Sequence, residues 1–254
     1  MNKKIELIEK KKTGYEVHIN DEVLMIEPEL KIKYHLTLGM EIDLKTYHEL
    51  IDENEFSTFY RMCILKLKKM QTRYELKTLM ESKGAKQKII KQVLSKLENR
   101  KYVDDDEYTK IYIQMKSSSK GPKMLEFELR KKGVSPDLIA KHLSVIDEQE
   151  AISHLLKKKM TSLKSKSKQQ KILSLKSYLV SKGFDLSTIE RELLNVSFDE
   201  DQEIINLTKD YQKLLYKYQH LDDYQKNQEI YKRLYQKGYS SSSIKKIMNQ
   251  ALEL

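Results

Sequence analysis

Three acid-free basic stretches are the part of this 254-residue chain best suited to chemistry with a partner. Arg61 to Arg73 holds five basic residues (Arg61, Lys66, Lys68, Lys69 and Arg73). Lys110 to Lys123 places Lys116, Lys120 and Lys123 around Ser117-Ser118-Ser119, and Lys157 to Lys182 holds nine lysines, including Lys157, Lys158, Lys159, Lys164, Lys166 and Lys168. Cations without interleaved acid favour a polyanion or an acidic protein groove. The plain alternative is that Lys-rich helices present solvated faces. The excess is local: residues 51–103 carry 13 basic against 6 acidic residues and 148–198 carry 10 against 5, while 104–147 and 199–254 balance and 1–50 are slightly acidic.

Bond-making chemistry has little to work with. The seven glycines include no Gly-x-x-x-x-Gly-Lys loop to cradle a nucleotide phosphate. The six histidines (His18, His35, His48, His142, His154, His220) show no metal-ligand spacing, and Cys63 has no second thiol. Asp104-Asp105-Asp106-Glu107 could hold a divalent cation. Acids at the start of a helix more simply cap it and complement its dipole. Tyr60, Tyr108, Tyr112, Tyr211, Tyr216 and Tyr218 could stack on bases, but their helical spacing among Ile and Leu suits packing. No catalytic residue, metal or cofactor is expected.

The elements that position the basic stretches are announced by a Lys-Gly pair that occurs four times in one frame, at Lys83-Gly84, Lys132-Gly133, Lys182-Gly183 and Lys237-Gly238. Four positions before each Gly stands Met80, Leu129, Leu179 or Leu234; six after it stands Ile90, Ile139, Ile189 or Ile244; ten after it stands Leu94, Leu143, Leu193 or Met248. The frame reads as a helix closed by a left-handed Gly and followed by a second helix with its apolar face four residues apart. Thr72-Arg73-Tyr74-Glu75 has the form of a capping box, and Ser135-Pro136-Asp137 that of a capped helix start.

Before each corner lies another amphipathic stretch, at 56–69, 106–116, 149–161 and 202–219, so each unit has three helices. A repeat of roughly fifty residues buries little core alone and is stabilised by stacking on its neighbours. The expected fold is mainly α: tandem three-helix, helix-turn-helix-like repeats at 51–103, 104–147, 148–198 and 199–254 forming an elongated curved array. Residues 1–50 differ in kind. Ile5 and Leu7, then Tyr15, Val17 and Ile19, alternate with polar residues, and Val23 to Ile26 follows Asn20-Asp21-Glu22, which predicts a small antiparallel β domain. Pro28 ends the third strand; Leu30 to Leu38 fits a strand or a short helix, and an amphipathic stretch from Leu44 to Asn54 leads into the first repeat.

No apolar run approaches the ~18 residues of a membrane span. The start, Met1-Asn2-Lys3-Lys4-Ile5-Glu6, offers no hydrophobic signal core, and a single Cys makes the cytoplasm the expected compartment.

Lys101-Tyr102-Val103-Asp104-Asp105, then Tyr108 and Tyr112-Ile113, then Lys120-Gly121-Pro122, Glu128-Leu129 and Lys132-Gly133-Val134 together resemble the signature of the RecX family, bacterial regulators of RecA recombinase. Thr72 with Glu75-Leu76 and Lys83-Gly84 is similar to the family's first-repeat pattern, which usually has Ser at the position of Thr72 and often a basic residue at that of Gln71. From about 60 to 146 the likeness is strongest; through Gly183 and Gly238 it rests on the Lys-Gly frame. The β-rich start is like that of long members from low-GC Gram-positive bacteria.

The resemblance implies a monomeric, non-enzymatic protein of the cytoplasm, without membrane contact, that binds the RecA filament groove. It would inhibit ATPase and strand exchange or promote filament disassembly, so modulating DNA repair and the SOS response. It also implies sequence-independent contact with single- or double-stranded DNA. At ~1.5 Å per residue, four stacked modules could reach on the order of 80 Å, enough to cross several filament subunits. Two alternatives stay open. A helix-turn-helix DNA-binding protein or transcription factor would read bases through a recognition helix, but the third helices offer Asp137, Lys141 and His142, or Glu190, Arg191 and Glu192, a poor set beside phosphates. A scaffold without nucleic-acid contact would leave the lysines as solvated faces.

Overall fold

Alternating residues at the start of the chain build a four-stranded antiparallel sheet in the computed structural model, which describes residues 2–250. Strands β1 (Lys3–Lys11), β2 (Gly14–Ile19), β3 (Glu22–Ile26) and β4 (Glu41–Ile42) lie in the order β3-β2-β1-β4. Ile5 pairs with Ile19 and Val17 with both Ile8 and Leu24 on the core face. The register shifts between Ile5 and Leu7, so Leu7, expected to share the face of Ile5, is exposed and Ile8 takes the inward place. The undecided stretch after β3 is helical: Pro28 starts α1 (Pro28–Lys33), where its missing N–H costs nothing. The two-residue β4 was not anticipated; too short to show alternation, it pairs only with Lys3 and Lys4.

The remaining described chain is helical: α2 (Leu44–Lys66), α3 (Arg73–Ser82), α4 (Gln87–Asn99), α5 (Asp105–Lys116), α6 (Pro122–Lys131), α7 (Pro136–Leu143), α8 (Glu148–Met160), α9 (Lys168–Ser181), α10 (Leu186–Leu194), α11 (Glu200–Lys217), α12 (Asp223–Gln236) and α13 (Ser241–Gln250). One expectation needs correction. The first helix of the first repeat does not begin at 56; α2 runs unbroken from Leu44 through the expected boundary at 50/51. Its first half buries Tyr47 and Leu50 under the sheet, and its second half buries Cys63 against α3 and α4. One helix thus serves two cores, and the change of buried side along its length makes it read in sequence as two amphipathic stretches, 44–54 and 56–69.

Each Lys-Gly corner has the predicted backbone. Gly84, Gly133, Gly183 and Gly238 sit at φ +81°, +73°, +88° and +85°, a region open to Gly and strained for other residues. The residue four before each Gly is fully buried, as are Ile90, Ile139, Ile189 and Ile244 six after. The second helices differ in length: α3 and α6 have 10 residues, α9 and α12 have 14. The extra four residues, close to one full turn, are added at the N-terminal end and return the helix start to the same side of the helix.

The chain divides into two compact units, Met1–Lys110 with Arg130–Leu138, and Ile111–Leu129 with Ile139–Leu254. In the first, one core joins the sheet, Leu30, Leu36 and the start of α2, and a second joins α2, α3 and α4 around Leu76, Met80, Ile90, Leu94 and Leu97. In the second, α8–α10 close around Ile152, Leu175, Leu179 and Ile189, and α11–α13 around Leu207, Ile230, Leu234 and Ile244. With burial worth about 1.5–3 kcal/mol per large aliphatic side chain, cores of seven to ten buried residues are modest.

Candidate functional site

Apart from Gly84, whose corner stands in open space, the family-pattern residues gather where one set of three helices meets the next corner. In the first unit Thr72 caps α3: its Oγ1 accepts the Glu75 N–H (3.1 Å), and Glu75 accepts the Thr72 N–H in return (3.1 Å). The same hydroxyl donates to the Lys132 carbonyl at 2.6 Å. Lys132 reaches back to Glu75 (2.7 Å); burial opposes its charge, yet the bonds to Glu75 and Tyr108 push its pKa up to about 12. Asp105 accepts the Arg73 N–H (2.8 Å), and burial raises this carboxyl above its ordinary range in spite of that bond. Asp104 accepts the N–H groups of Asp106 and Glu107, the capping role for this acidic run.

The second unit repeats the design twice with different chemistry. Ser167 caps α9, accepts the Gln170 N–H, and donates to the Lys237 carbonyl, while Glu203 accepts the Lys168 N–H (2.8 Å). At the third joint Gly121 has no hydroxyl, so its backbone N–H donates directly to the Lys182 carbonyl at 2.8 Å. Pro122 follows and has no N–H for an acid to satisfy. The backbones approach so closely that a Cβ on Gly121 would lie 2.4 Å from the Gly183 carbonyl carbon. Tyr112 and Lys120 both donate to Glu128; burial opposes its charge, and these bonds hold it below the ordinary range. Leu76 and Leu129 are fully buried beneath these contacts.

The structure sorts the fourteen basic candidates. Four are clamps: Arg61 on buried Glu27 (2.9 Å), Arg73 on Glu98 (2.7 Å), Lys120 on Glu128, and Lys123 on Asp185 (2.7 Å). The Lys123 bond, with that from Ser187, lowers the Asp185 carboxyl to about 2. The other ten, Lys66, Lys68, Lys69, Lys116, Lys157, Lys158, Lys159, Lys164, Lys166 and Lys168, make no salt bridge among the described residues. In the first unit Lys66, Lys68 and Lys69 occupy the end of α2 and its connection to α3; in the second, Lys164, Lys166 and Lys168 occupy the α8–α9 connection and first residue of α9. The same segment, between first and second helix, is basic in both.

Of the tyrosines, Tyr108, Tyr211 and Tyr218 are buried and pack, whereas Tyr216 is exposed. Burial pushes the Cys63 thiol up to about 11, which keeps it protonated and unreactive. Among the described residues no His, Cys, Asp and Glu group could hold a metal ion, and no helix is long and apolar enough to cross a membrane. One feature has no counterpart in the sequence patterns. In the first unit a groove of about 820 Å³ between α2 and α4 is lined by Lys88, Lys91, Lys96 and Arg100. These cations alternate with Gln92, Ser95 and Asn99, a pattern that in sequence looks like any solvated helix.

Residues 104–143 match the family model described as RecX, second three-helix domain. The whole chain is similar to curated proteins named Regulatory protein RecX. That of Streptococcus sanguinis is 32% identical, with 98% of this chain and 100% of the relative covered. That of Streptococcus gordonii is 32% identical over 96% and 98%, and that of Oceanobacillus iheyensis 29% identical over 90% and 87%.

Proposed function

Because the chain belongs to the RecX family, we propose that it regulates RecA recombinase, mainly negatively, by binding the RecA–DNA filament along its groove and suppressing ATPase and strand exchange or promoting disassembly. The observation that carries this reading is the 32% identity to a curated RecX protein over 98% of this chain and 100% of that relative. The protein acts by binding, as a monomer in the cytoplasm, and modulates recombinational repair and the SOS response through the lifetime of the filament. The division into a β domain and four modules, with boundaries near 103, 147 and 198 and with α2 shared by the β domain and the first module, belongs to the same reading.

The unpaired lysines between first and second helices supply the anion-binding part. Lys164, Lys166 and Lys168 are exposed and their ammonium groups make no salt bridge among the described residues, so they can exchange condensed counterions for phosphates without first breaking one. Contacts of that kind position a protein on nucleic acid without reading sequence.

The test is RecA-driven strand exchange and ATPase with the purified chain added well below the RecA concentration. Suppression of both is expected; no change at equimolar addition would refute the proposal. Reversal of Lys164, Lys166 and Lys168 to Glu is expected to weaken DNA binding and to lower the salt slope by about 0.7 for each single-strand phosphate no longer neutralised. A defined operator sequence bound in preference to random DNA would favour a transcription factor instead.

A further inference from the structure

The α2–α4 groove of the first unit combines cationic, amide or hydroxyl, and aromatic side chains. On α4, Lys88, Gln92, Ser95 and Asn99 recur at three- and four-residue steps and form one polar stripe. Helical geometry places Lys91 on one flank of that stripe and Lys96 and Arg100 on the other, toward α2. The facing α2 wall is Asp52, Glu53 and Phe56, and Tyr60 lies behind Phe56 with its ring nearly parallel, 13° apart with centroids at 5.9 Å. Lys96 Nζ sits 4.8 Å and 4.6 Å from the two ring centroids, and Arg100 donates to the Tyr60 hydroxyl at 3.1 Å.

The charges are asymmetric. Both acids at the mouth are already engaged, Asp52 by Lys88 (2.8 Å) and Glu53 by Lys33 (2.5 Å). Lys91, Lys96 and Arg100 have no carboxylate partner among the described residues. The groove therefore presents three uncompensated cations, a row of amide and hydroxyl groups, and an aromatic edge. A protein partner would anchor an aromatic or aliphatic side chain in an apolar pocket; here the one apolar residue of the lining, Phe56, is already stacked on Tyr60. A duplex keeps its base edges paired, whereas a single strand leaves them open to Gln92, Ser95 and Asn99 while cations track the phosphates.

We propose that the α2–α4 groove binds a short stretch of single-stranded nucleic acid, with Lys91, Lys96 and Arg100 on its phosphates and Gln92, Ser95 and Asn99 donating and accepting hydrogen bonds along it. This deepens the regulator reading by giving the strand a place apart from the lysines between first and second helices. It concerns direct binding, so RecA is left out of its test: failed suppression of strand exchange would leave the groove standing, and failure here would leave RecA contact standing.

The test is fluorescence anisotropy of a fluorescein-labelled 15-nucleotide oligothymidylate with the full chain across a salt series. Lys91→Glu with Arg100→Glu, both at exposed positions, is expected to weaken binding at least tenfold and to lower the salt slope by about 1.4, at about 0.7 per single-strand phosphate. The charge-neutral pair Lys91→Gln and Arg100→Gln loses the same two phosphate contacts, so it is expected to lower the slope by about the same 1.4 and to weaken binding by less, and an unchanged thermal midpoint separates weakened binding from a weakened fold. Unchanged affinity and slope in both pairs would overturn the proposal. So would a duplex of equal length, or polyglutamate, binding as tightly with the same losses.

Discussion

The Lys83-Gly84 corner and the three that follow share a motif and a left-handed Gly, yet only the later three receive a neighbour. Around Gly84 there is open space where a Cβ would stand. At Gly133, Gly183 and Gly238 the same Cβ would meet Tyr74, Met124 or Gln169 within 3 Å. The carbonyls of Lys132, Lys182 and Lys237 each accept a bond from the start of an earlier second helix, 60 to 70 residues back. Even the capping differs. Asp185 caps its third helix with its own side chain, whereas Lys86 cannot, and its N–H is satisfied by Glu55 of α2. One sequence motif thus has two uses: a turn at every corner, and a docking face only where a module precedes it.

The strongest way to break this distinction is to add a methyl group at each kind of corner. Gly183→Ala is expected to cost about 2–5 kcal/mol, from left-handed strain of about 1–2 and a clash with the Met124 backbone of about 1–3. Gly84→Ala should cost only the strain, about 1–2 kcal/mol. Urea unfolding measures both, and equal losses would erase the difference. Next come the hydroxyls that serve cap and joint together. Thr72→Val or Ser167→Ala should lose about 2 kcal/mol, and Asp222→Ala, a cap on the last second helix with no corner to meet, about 1. Thr72→Ser should recover nearly all of the loss.

The smallest effect is expected from Asp185, whose carboxyl is lowered to about 2 by Lys123 and Ser187. A depressed pKa stabilises the fold above the ordinary carboxylate value and loses that contribution as pH falls through the folded value. The advantage of the native chain over Asp185→Asn in thermal midpoint should therefore shrink between about pH 4 and pH 2. An advantage that stayed constant over that window would remove the Lys123–Asp185 pair from the joint.

What the sequence makes legible is local. A left-handed Gly, a capping box and an apolar residue four positions away are demands that neighbours along the chain impose, so the corners and third helices could be read directly. The partners of Thr72 and Ser167 lie too far off for any spacing rule, and the Gly121 contact uses backbone, which leaves no side-chain signature. Basic runs overstate the free charge for the same reason: Arg61 is neutralised by Glu27 and Lys123 by Asp185, 34 and 62 residues distant. The α4 groove is invisible in sequence because its meaning depends on Phe56 and Tyr60 of another helix.

The longer α9 and α12 carry a rule about permissible length change. Each added residue turns a helix start by about 100°, so a single insertion ahead of Leu175 would swing the Ser167 hydroxyl away from the Lys237 carbonyl, while four bring it almost full circle. Insertions and deletions in these segments should accordingly survive in steps of three or four residues and fail in steps of one or two, a quantised tolerance that deletion scanning of α9 can reveal.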